Sequence, residues 1–168
     1  MTIVLAFAVL SLLSVSGAAP HSIAVWVSGP AATPPSGTYA MHNINRTFAP
    51  PVIVVPVGSQ VRFPNDDPFE HSIYSANRVN GFDIGYYGPG PGKYVRFSHA
   101  GVVQVRCHIH TYMHGMIVVA GGPFAQVSGG AYSIPNLPAG EYTVHDVTDG
   151  GIDHTTRITL SRNTTLNF

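Results

Sequence analysis

The chain has 168 residues, of which 45% are hydrophobic and only 10% are charged, and eight basic residues balance eight acidic ones. This composition supplies a sizeable apolar core, and the charge balance excludes both the basic footprint of a nucleic-acid-binding protein and a polybasic membrane patch. Eighteen glycines and fourteen prolines punctuate the chain. Because β-branched and aromatic residues are common and no long helical periodicity occurs, the sequence predicts an all-β protein with many turns.

The first 19 residues have the pattern of a secretory signal peptide. An apolar run from Thr2 to Leu13 precedes a group of small residues that ends at Ala19, although no basic residue occurs before Arg46. The run is shorter than the roughly 20 residues of a spanning helix, so cleavage is favoured over a membrane anchor. We therefore exclude residues 1–19 from the fold and expect a periplasmic or secreted protein with no stable membrane span after cleavage.

The rest of the chain is predicted to form one main domain and a small C-terminal segment. The main domain covers residues 20–121 and includes a first strand at Ser22–Ser28 and a breaker-rich linker at Gly29–Gly37. Beyond Gly121 three segments alternate between polar and apolar residues, which predicts a β segment over residues 122–168. The sequence does not decide whether this segment extends the main domain or folds separately.

A ten-residue stretch between two apolar runs carries most of the chemistry. It extends from Cys107 to Met116 and holds the only cysteine, three of the nine histidines and two of the four methionines. One thiolate, imidazoles and thioethers are the ligand types of a trigonal copper site with a weak axial sulfur. A lone cysteine also cannot form an internal disulfide, so this thiol is a free group or a ligand.

His71 is the candidate ligand from a second loop. It opens a predicted strand after the turn residues Pro64 and Pro68. Alone it would be interpreted as a polar loop residue, but a mononuclear site needs an upstream imidazole to fix the metal to a second part of the fold. A thiolate-bridged two-copper site is excluded because there is no second cysteine.

Several motifs of the chain resemble the cupredoxin superfamily, and most closely the plastocyanin-like exported proteins often labelled methylamine utilisation proteins. The matching motifs are Phe63-Pro64-Asn65 with Asp67 and His71, Phe82-Asp83-Ile84-Gly85, Gly101-Val102-Val103, Cys107-His108-Ile109-His110 with Met113, and Leu137-Pro138-Ala139-Gly140. The resemblance implies a Greek-key β-sandwich, cupredoxin-like, with one type 1 copper ion at one end.

By the same resemblance, the copper ligands are His71, Cys107 and His110, with Met113 in the axial position. Met116 and His114 remain alternatives for that position. The chain departs from the family pattern in its extra imidazoles, His108 and His114. Asn65 is expected either to donate a hydrogen bond near the cysteine or to shape its turn.

Three functions remain open at this stage. The first is a non-enzymatic electron carrier with one copper. The second is a copper-binding or delivery protein without a redox partner, which would hand copper on through the cluster of His108, His110, His114, Met113 and Met116. The third is a structural β-sandwich with an incidental or zinc site. No Ser-His-Asp arrangement with a nucleophile elbow is visible, although such triads are spatial rather than sequential. We expect a monomer whose redox partner is unknown, since the balanced charge indicates no steering patch.

Overall fold

The computed structural model of the protein describes residues 12–168, and within that range it contains seventeen β-strands and no helix. The prediction of an all-β sandwich protein is confirmed. No helix of this range is long and apolar enough to cross a membrane. In chain order the strands are β1 (Leu13–Ala18), β2 (Ser22–Ser28), β3 (Thr38–Ala40), β4 (His42–Ile44), β5 (Thr47–Ala49), β6 (Val52–Pro56), β7 (Gln60–Asn65), β8 (His71–Ser75), β9 (Phe82–Tyr87), β10 (Gly90–Arg96), β11 (Gly101–Cys107), β12 (His114–Ala120), β13 (Phe124–Gln126), β14 (Ala131–Leu137), β15 (Gly140–Thr148), β16 (Asp153–Leu160) and β17 (Thr164–Thr165).

Residues 38–120 form the first sandwich, which consists of two five-stranded sheets. Sheet I has the strand order β10-β7-β4-β5 with β3 also paired to β7, and sheet II has the order β6-β12-β11-β8-β9. Between them lies a core of fully buried side chains, among them Phe63, Ile73, Val105 and Ile117. The alternation of polar and apolar residues along β7 and β11 directs one face of each strand into this core.

Strands from both ends of the chain form a second sandwich. Sheet III has the order β13-β2-β15-β16, sheet IV has the order β14-β1-β17, and their shared core includes Val25, Val27, Ile134 and Val144. The sequence prediction placed Ser22–Ser28 in the main domain and described residues 122–168 as a small appendage. The structure instead pairs β2 with β13 and β15. Alternation identifies a strand but not its partner, which depends on packing far along the chain.

Part of the predicted signal segment belongs to sheet IV. Residues 1–11 lie outside the described residues, whereas Leu13–Ala18 is β1, between β14 and β17. Small residues suit this strand because the C-terminal segment crosses it closely. A Cβ added to Gly17 would overlap the backbone oxygen of Leu166, and the Phe168 amide donates to the Ala18 carbonyl at 2.9 Å. The same run of small residues is typical of a cleavage region, so the sequence pattern fits both a signal-peptide cleavage region and strand β1.

The two sandwiches pack on each other through sheets II and III. Along β12, Ile117 and Val119 face the core of the first sandwich, whereas Met116, Val118 and Ala120 contact the second. On the other side of this interface lie Ala24, Trp26 and Val147. The part of sheet II that consists of β6 and β12 is therefore buried on both faces, which explains why these two strands are almost continuous apolar runs.

We predict that Met116→Ala lowers the free energy of unfolding by about 2–5 kcal/mol, because it leaves a cavity in the interface between the sandwiches. Denaturant unfolding followed by fluorescence would measure this change. Val79→Ala is the control: Val79 is 61% exposed, and its truncation should change the stability by no more than about 0.5 kcal/mol. Equal effects of the two substitutions would contradict a stabilising role for the interface.

Candidate metal centre

Strand register brings two distant parts of the chain together at one end of the first sandwich. Cys107 is the last residue of β11 and lies opposite Ile73 of the neighbouring β8. The His108 amide donates to the Ser72 carbonyl at 2.9 Å, which continues the pairing toward His71. After Cys107 the chain turns, and the Met113 amide donates to the His110 carbonyl at 2.8 Å before β12 begins. The turn therefore folds over the start of β8.

The structure brings His71, Cys107 and His110 into one cluster. Their ligand atoms lie within 4.8 Å of one another. The Cys107 Sγ is 3.7 Å from the His71 Nδ1 and 3.8 Å from the His110 Nδ1. An ion about 2.0–2.3 Å from each atom, the range that zinc shows with N and S ligands, places such atoms about 3.6–3.8 Å apart. Both distances from the Cys107 sulfur to the imidazole nitrogens therefore fit one metal ion of this size.

The two candidate methionines lie on different sides of sheet II. Met113 is 1% exposed and belongs to the same core cluster as Cys107. Met116 belongs to the interface with the second sandwich, where it packs with Trp26. Only Met113 thus shares the core of the three-ligand cluster.

Asp67 is a buried carboxylate that connects His71 to another hairpin. Its Oδ2 lies 3.0 Å from the His71 Nε2, and its two oxygens accept the backbone amides of Asn45 at 2.6 Å and Arg46 at 2.9 Å. Burial by itself raises the pKa of the Asp67 carboxyl, but the hydrogen bonds from the Arg46 amide, the His71 ring and the Asn45 amide outweigh it and lower the pKa overall. Asp67 is therefore ionised at neutral pH.

The Asp67 carboxylate selects one tautomer of His71. A carboxylate accepts a proton but has none to give at neutral pH, so the His71 Nε2 carries the hydrogen that it donates. The lone pair of His71 is then on Nδ1, the atom that faces Cys107. A carboxylate behind a ligating imidazole also makes the ring a stronger donor to a metal.

His110 is the ligand nearest to solvent. Burial is the largest cause that lowers the pKa of His110, and the neighbouring His71 and Arg46 lower it further, so its ring is neutral and able to bind a metal at pH 7. Phe69 lies 5.4 Å from the His110 ring and 5.6 Å from the His71 ring, and the Arg46 guanidinium lies 4.4 Å above Phe69. Tyr112, which is largely exposed, contacts the other side of His110.

The remaining imidazoles of the stretch are bonded to other groups. His108 stacks on Tyr74 at 3.8 Å, and its Nε2 lies 3.1 Å from the Asp83 carboxylate. The His114 Nδ1 accepts from the Arg106 guanidinium at 3.0 Å.

Asn65 has the turn-shaping role that the sequence offered as one of two possibilities. Its amide donates to the Phe69 carbonyl at 2.8 Å, and its oxygen accepts the Asp67 amide at 3.1 Å. The contacts of Asp67 with His71 and the Asn45–Arg46 turn were missed by the sequence reasoning. A carboxylate four residues before a candidate ligand was the available signal.

Comparisons with known proteins gave structural matches over about half of the chain. No protein-family profile matches it, and no curated protein does. A copper-containing nitrite reductase from Thermus scotoductus matches at 27% identity and a TM-score of 0.46, over 49% of this chain and 22% of the reductase. A reduced amicyanin variant matches at 20% identity and a TM-score of 0.45, over 48% of this chain and 79% of amicyanin. A purple cupredoxin from Nitrosopumilus maritimus matches at 22% identity and a TM-score of 0.44, over 49% of this chain and 99% of the cupredoxin. The chain thus spans about a fifth of the length of the reductase.

We predict that Asp67→Asn weakens metal binding by about 10–100-fold, the usual effect of losing a group that orients a ligand. Competition of the protein with a chelator for Cu(II) would measure the affinity. Asp66→Asn is the matched control, because Asp66 is the exposed neighbour and bonds to His42 instead of a candidate ligand. Similar losses in both variants would indicate a general charge effect and contradict the orienting role.

Proposed function

We propose that the protein binds one copper ion through His71, Cys107, His110 and Met113 and carries single electrons. The observation that supports this most directly is the buried Cys107 sulfur between two imidazole nitrogens, at 3.7 and 3.8 Å. A thiolate, two imidazoles and a thioether form the ligand set of blue-copper electron-transfer sites. The proposal includes an extracytoplasmic location, which rests on the apolar N-terminal segment.

Bound copper would supply a one-electron couple between Cu(I) and Cu(II). The role of the chain is to keep the ligands in place during the change. Cys107 is the end of a strand buried in the core, His71 begins another, and Asp67 fixes the ring of His71. Because these groups are held by strand pairing and hydrogen bonds, the ligands rearrange little when the charge of the site changes.

His110 is the proposed entry and exit point for electrons. It is the only partly exposed residue of the three-ligand cluster, and its surroundings include the exposed side chains of Ile109 and Tyr112. A redox partner that covers this apolar area would bring its own centre close to the His110 ring. The partner is expected to dock without strong charge steering, since the net charge is zero.

The other two functions have less support. A delivery role drew on the cluster of His108, His110, His114, Met113 and Met116. Three of these side chains, those of His108, His114 and Met116, bond or pack elsewhere in the structure. A zinc site would use the same thiolate and imidazoles, whereas the buried thioether of Met113 is a soft ligand that favours copper.

We predict that the Cu(II) protein has an intense visible absorption band from the Cys107 thiolate and that Cys107→Ser abolishes it. Absorption and electron paramagnetic resonance spectra of the copper-loaded protein would test this. Zinc has a filled d shell and gives no such band. The proposal fails if the band is absent from the unsubstituted protein or persists in the serine variant.

Retention of copper on reduction distinguishes an electron carrier from a copper-delivery protein. On reduction in the presence of a strong Cu(I) chelator, a carrier keeps its copper and is reoxidised with its spectrum restored. Transfer of the copper to the chelator would favour delivery.

Met113→Leu is expected to raise the reduction potential and alter the visible spectrum, because the axial ligand tunes the potential and loss of its electron donation destabilises the electron-poorer Cu(II) state more than Cu(I). Redox titration of both forms would measure the shift. Met116→Leu is the matched control: it should leave the potential unchanged, since Met116 packs in the interface with the second sandwich. A shift in the Met116 variant alone would assign the axial position to that residue.

A further inference from the structure

Three strands of sheet III place a serine, a histidine and an aspartate on one face. Along β2 and β15, Ser28 lies opposite Thr143 and Trp26 lies opposite His145. Along β15 and β16, His145 lies opposite Thr155. Asp153 is two residues before Thr155 on the same strand, β16. Since residues opposite or two apart share a face of the sheet, Ser28, His145 and Asp153 are diagonal neighbours on the face of sheet III that also carries Trp26. This face points away from the core of the second sandwich.

The side-chain contacts join these residues into a relay. The His145 Nδ1 lies 3.0 and 3.2 Å from the two carboxylate oxygens of Asp153, and its Nε2 lies 3.5 Å from the Ser28 Oγ. The carboxylate accepts the Nδ1 hydrogen, so Nε2 has the free lone pair and faces the serine hydroxyl. This order of groups is the one in which a histidine activates a serine nucleophile.

The ring of His145 is held in this orientation by Trp26. The two rings stack at 3.6 Å with an angle of 9° between them. Trp26 is itself buried in the interface between the sandwiches, so it cannot turn aside. The side chain of His145 is 16% exposed and that of Asp153 28%, which leaves the relay partly shielded from water but within reach of a small molecule.

A cavity of about 170 Å³ lies beside the serine. Ser28, Glu141, Tyr142, Thr143 and Arg157 line it. Arg157 lies opposite Thr143, so it belongs to the same row across the sheet as Ser28. Within residues 12–168 no carboxylate lies at ion-pair distance from Arg157. The Glu141 carboxylate also lines this cavity, but it accepts a hydrogen bond from the Thr159 hydroxyl at 2.6 Å. The Arg157 guanidinium keeps its donors and can stabilise an oxyanion that develops next to Ser28.

We propose that Ser28, His145 and Asp153 form a second site, which hydrolyses small carboxylic esters. The Ser28 Oγ attacks the ester carbonyl while its proton passes to the His145 Nε2. The carbon–oxygen bond to the alcohol then breaks, and the alcohol leaves with that proton. Water attacks the acyl-serine, gives one proton to His145, and releases the carboxylic acid while Ser28 regains its hydrogen. The net reaction consumes one ester and one water and forms one acid and one alcohol.

The cavity indicates the class of ester. Its volume suits a short acyl group, and because Arg157 and Glu141 both line it, no net charge on the acyl group is favoured. This activity belongs to the second sandwich and does not depend on the proposed metal centre in the first. It can therefore be tested in full-length Cys107→Ala protein, in which neither a nucleophile at position 107 nor a copper–thiolate centre contributes.

A fluorophosphonate probe tests the nucleophile directly. Incubation of full-length protein with the probe, followed by mass spectrometry of its peptides, should locate the label on Ser28, and Ser28→Ala should abolish it. The unsubstituted protein already gives a decisive result, because it needs no variant to fold. Absence of a label, or a label on another serine, would overturn the proposal.

Hydrolysis of p-nitrophenyl acetate tests the relay. His145→Gln should lower both the labelling rate and the hydrolysis rate by about 100-fold or more, the scale of a lost general base. Thr155→Ala is the matched control, because Thr155 lies opposite His145 on the same face but outside the relay. Unchanged rates in His145→Gln, with circular dichroism showing an intact fold, would contradict the role of His145.

Discussion

A single buried carboxylate, that of Asp67, holds the candidate centre together. It accepts two backbone amides from the Asn45–Arg46 turn, whose residues both have left-handed backbone conformations with φ of 52° and 57°. It also accepts from the His71 ring. Without it, two amides would lose their partner in a partly buried place, which costs about 1–3 kcal/mol for each group. One side chain thus fixes a metal-facing imidazole and, through the turn, the arginine that covers Phe69 at the surface.

Residue types pointed to the Cys107–Met116 stretch and to His71 as sources of ligands, and the family resemblance implied that His110 is the second imidazole. The structure brings His71, Cys107 and His110 together. The choice between Met113 and Met116 was beyond local pattern, because both are apolar residues beside the same strand. It depends on which face of sheet II each side chain occupies, and that follows from the second sandwich, whose packing no local motif encodes.

The same reason explains why the relay of sheet III was not predicted. Ser28 and His145 are separated by 117 positions and meet only through the register between β2 and β15. No spacing rule applies to such a pair, since each residue by itself fits a half-exposed strand. Likewise, β1 and β2 were identified only as a small-residue stretch and an isolated strand. The sheets to which they belong could not be predicted, because their pairing partners come from the C-terminal part of the chain.

The first sandwich is an insertion between two strands of the second, and this connectivity governs how the chain can fold during synthesis. All strands of sheets I and II have been synthesised once the chain reaches Ala120. The strands that pair with β1 and β2 follow later in the sequence, and the last of them ends at Thr165. At about 5–20 residues per second, the intervening 45 residues take roughly 2–9 s to synthesise. During that interval the outer face of sheet II and both faces of β2 have no cover. Nascent chains are therefore most prone to aggregate after the metal-binding half has formed, and chaperone protection would matter most at that point.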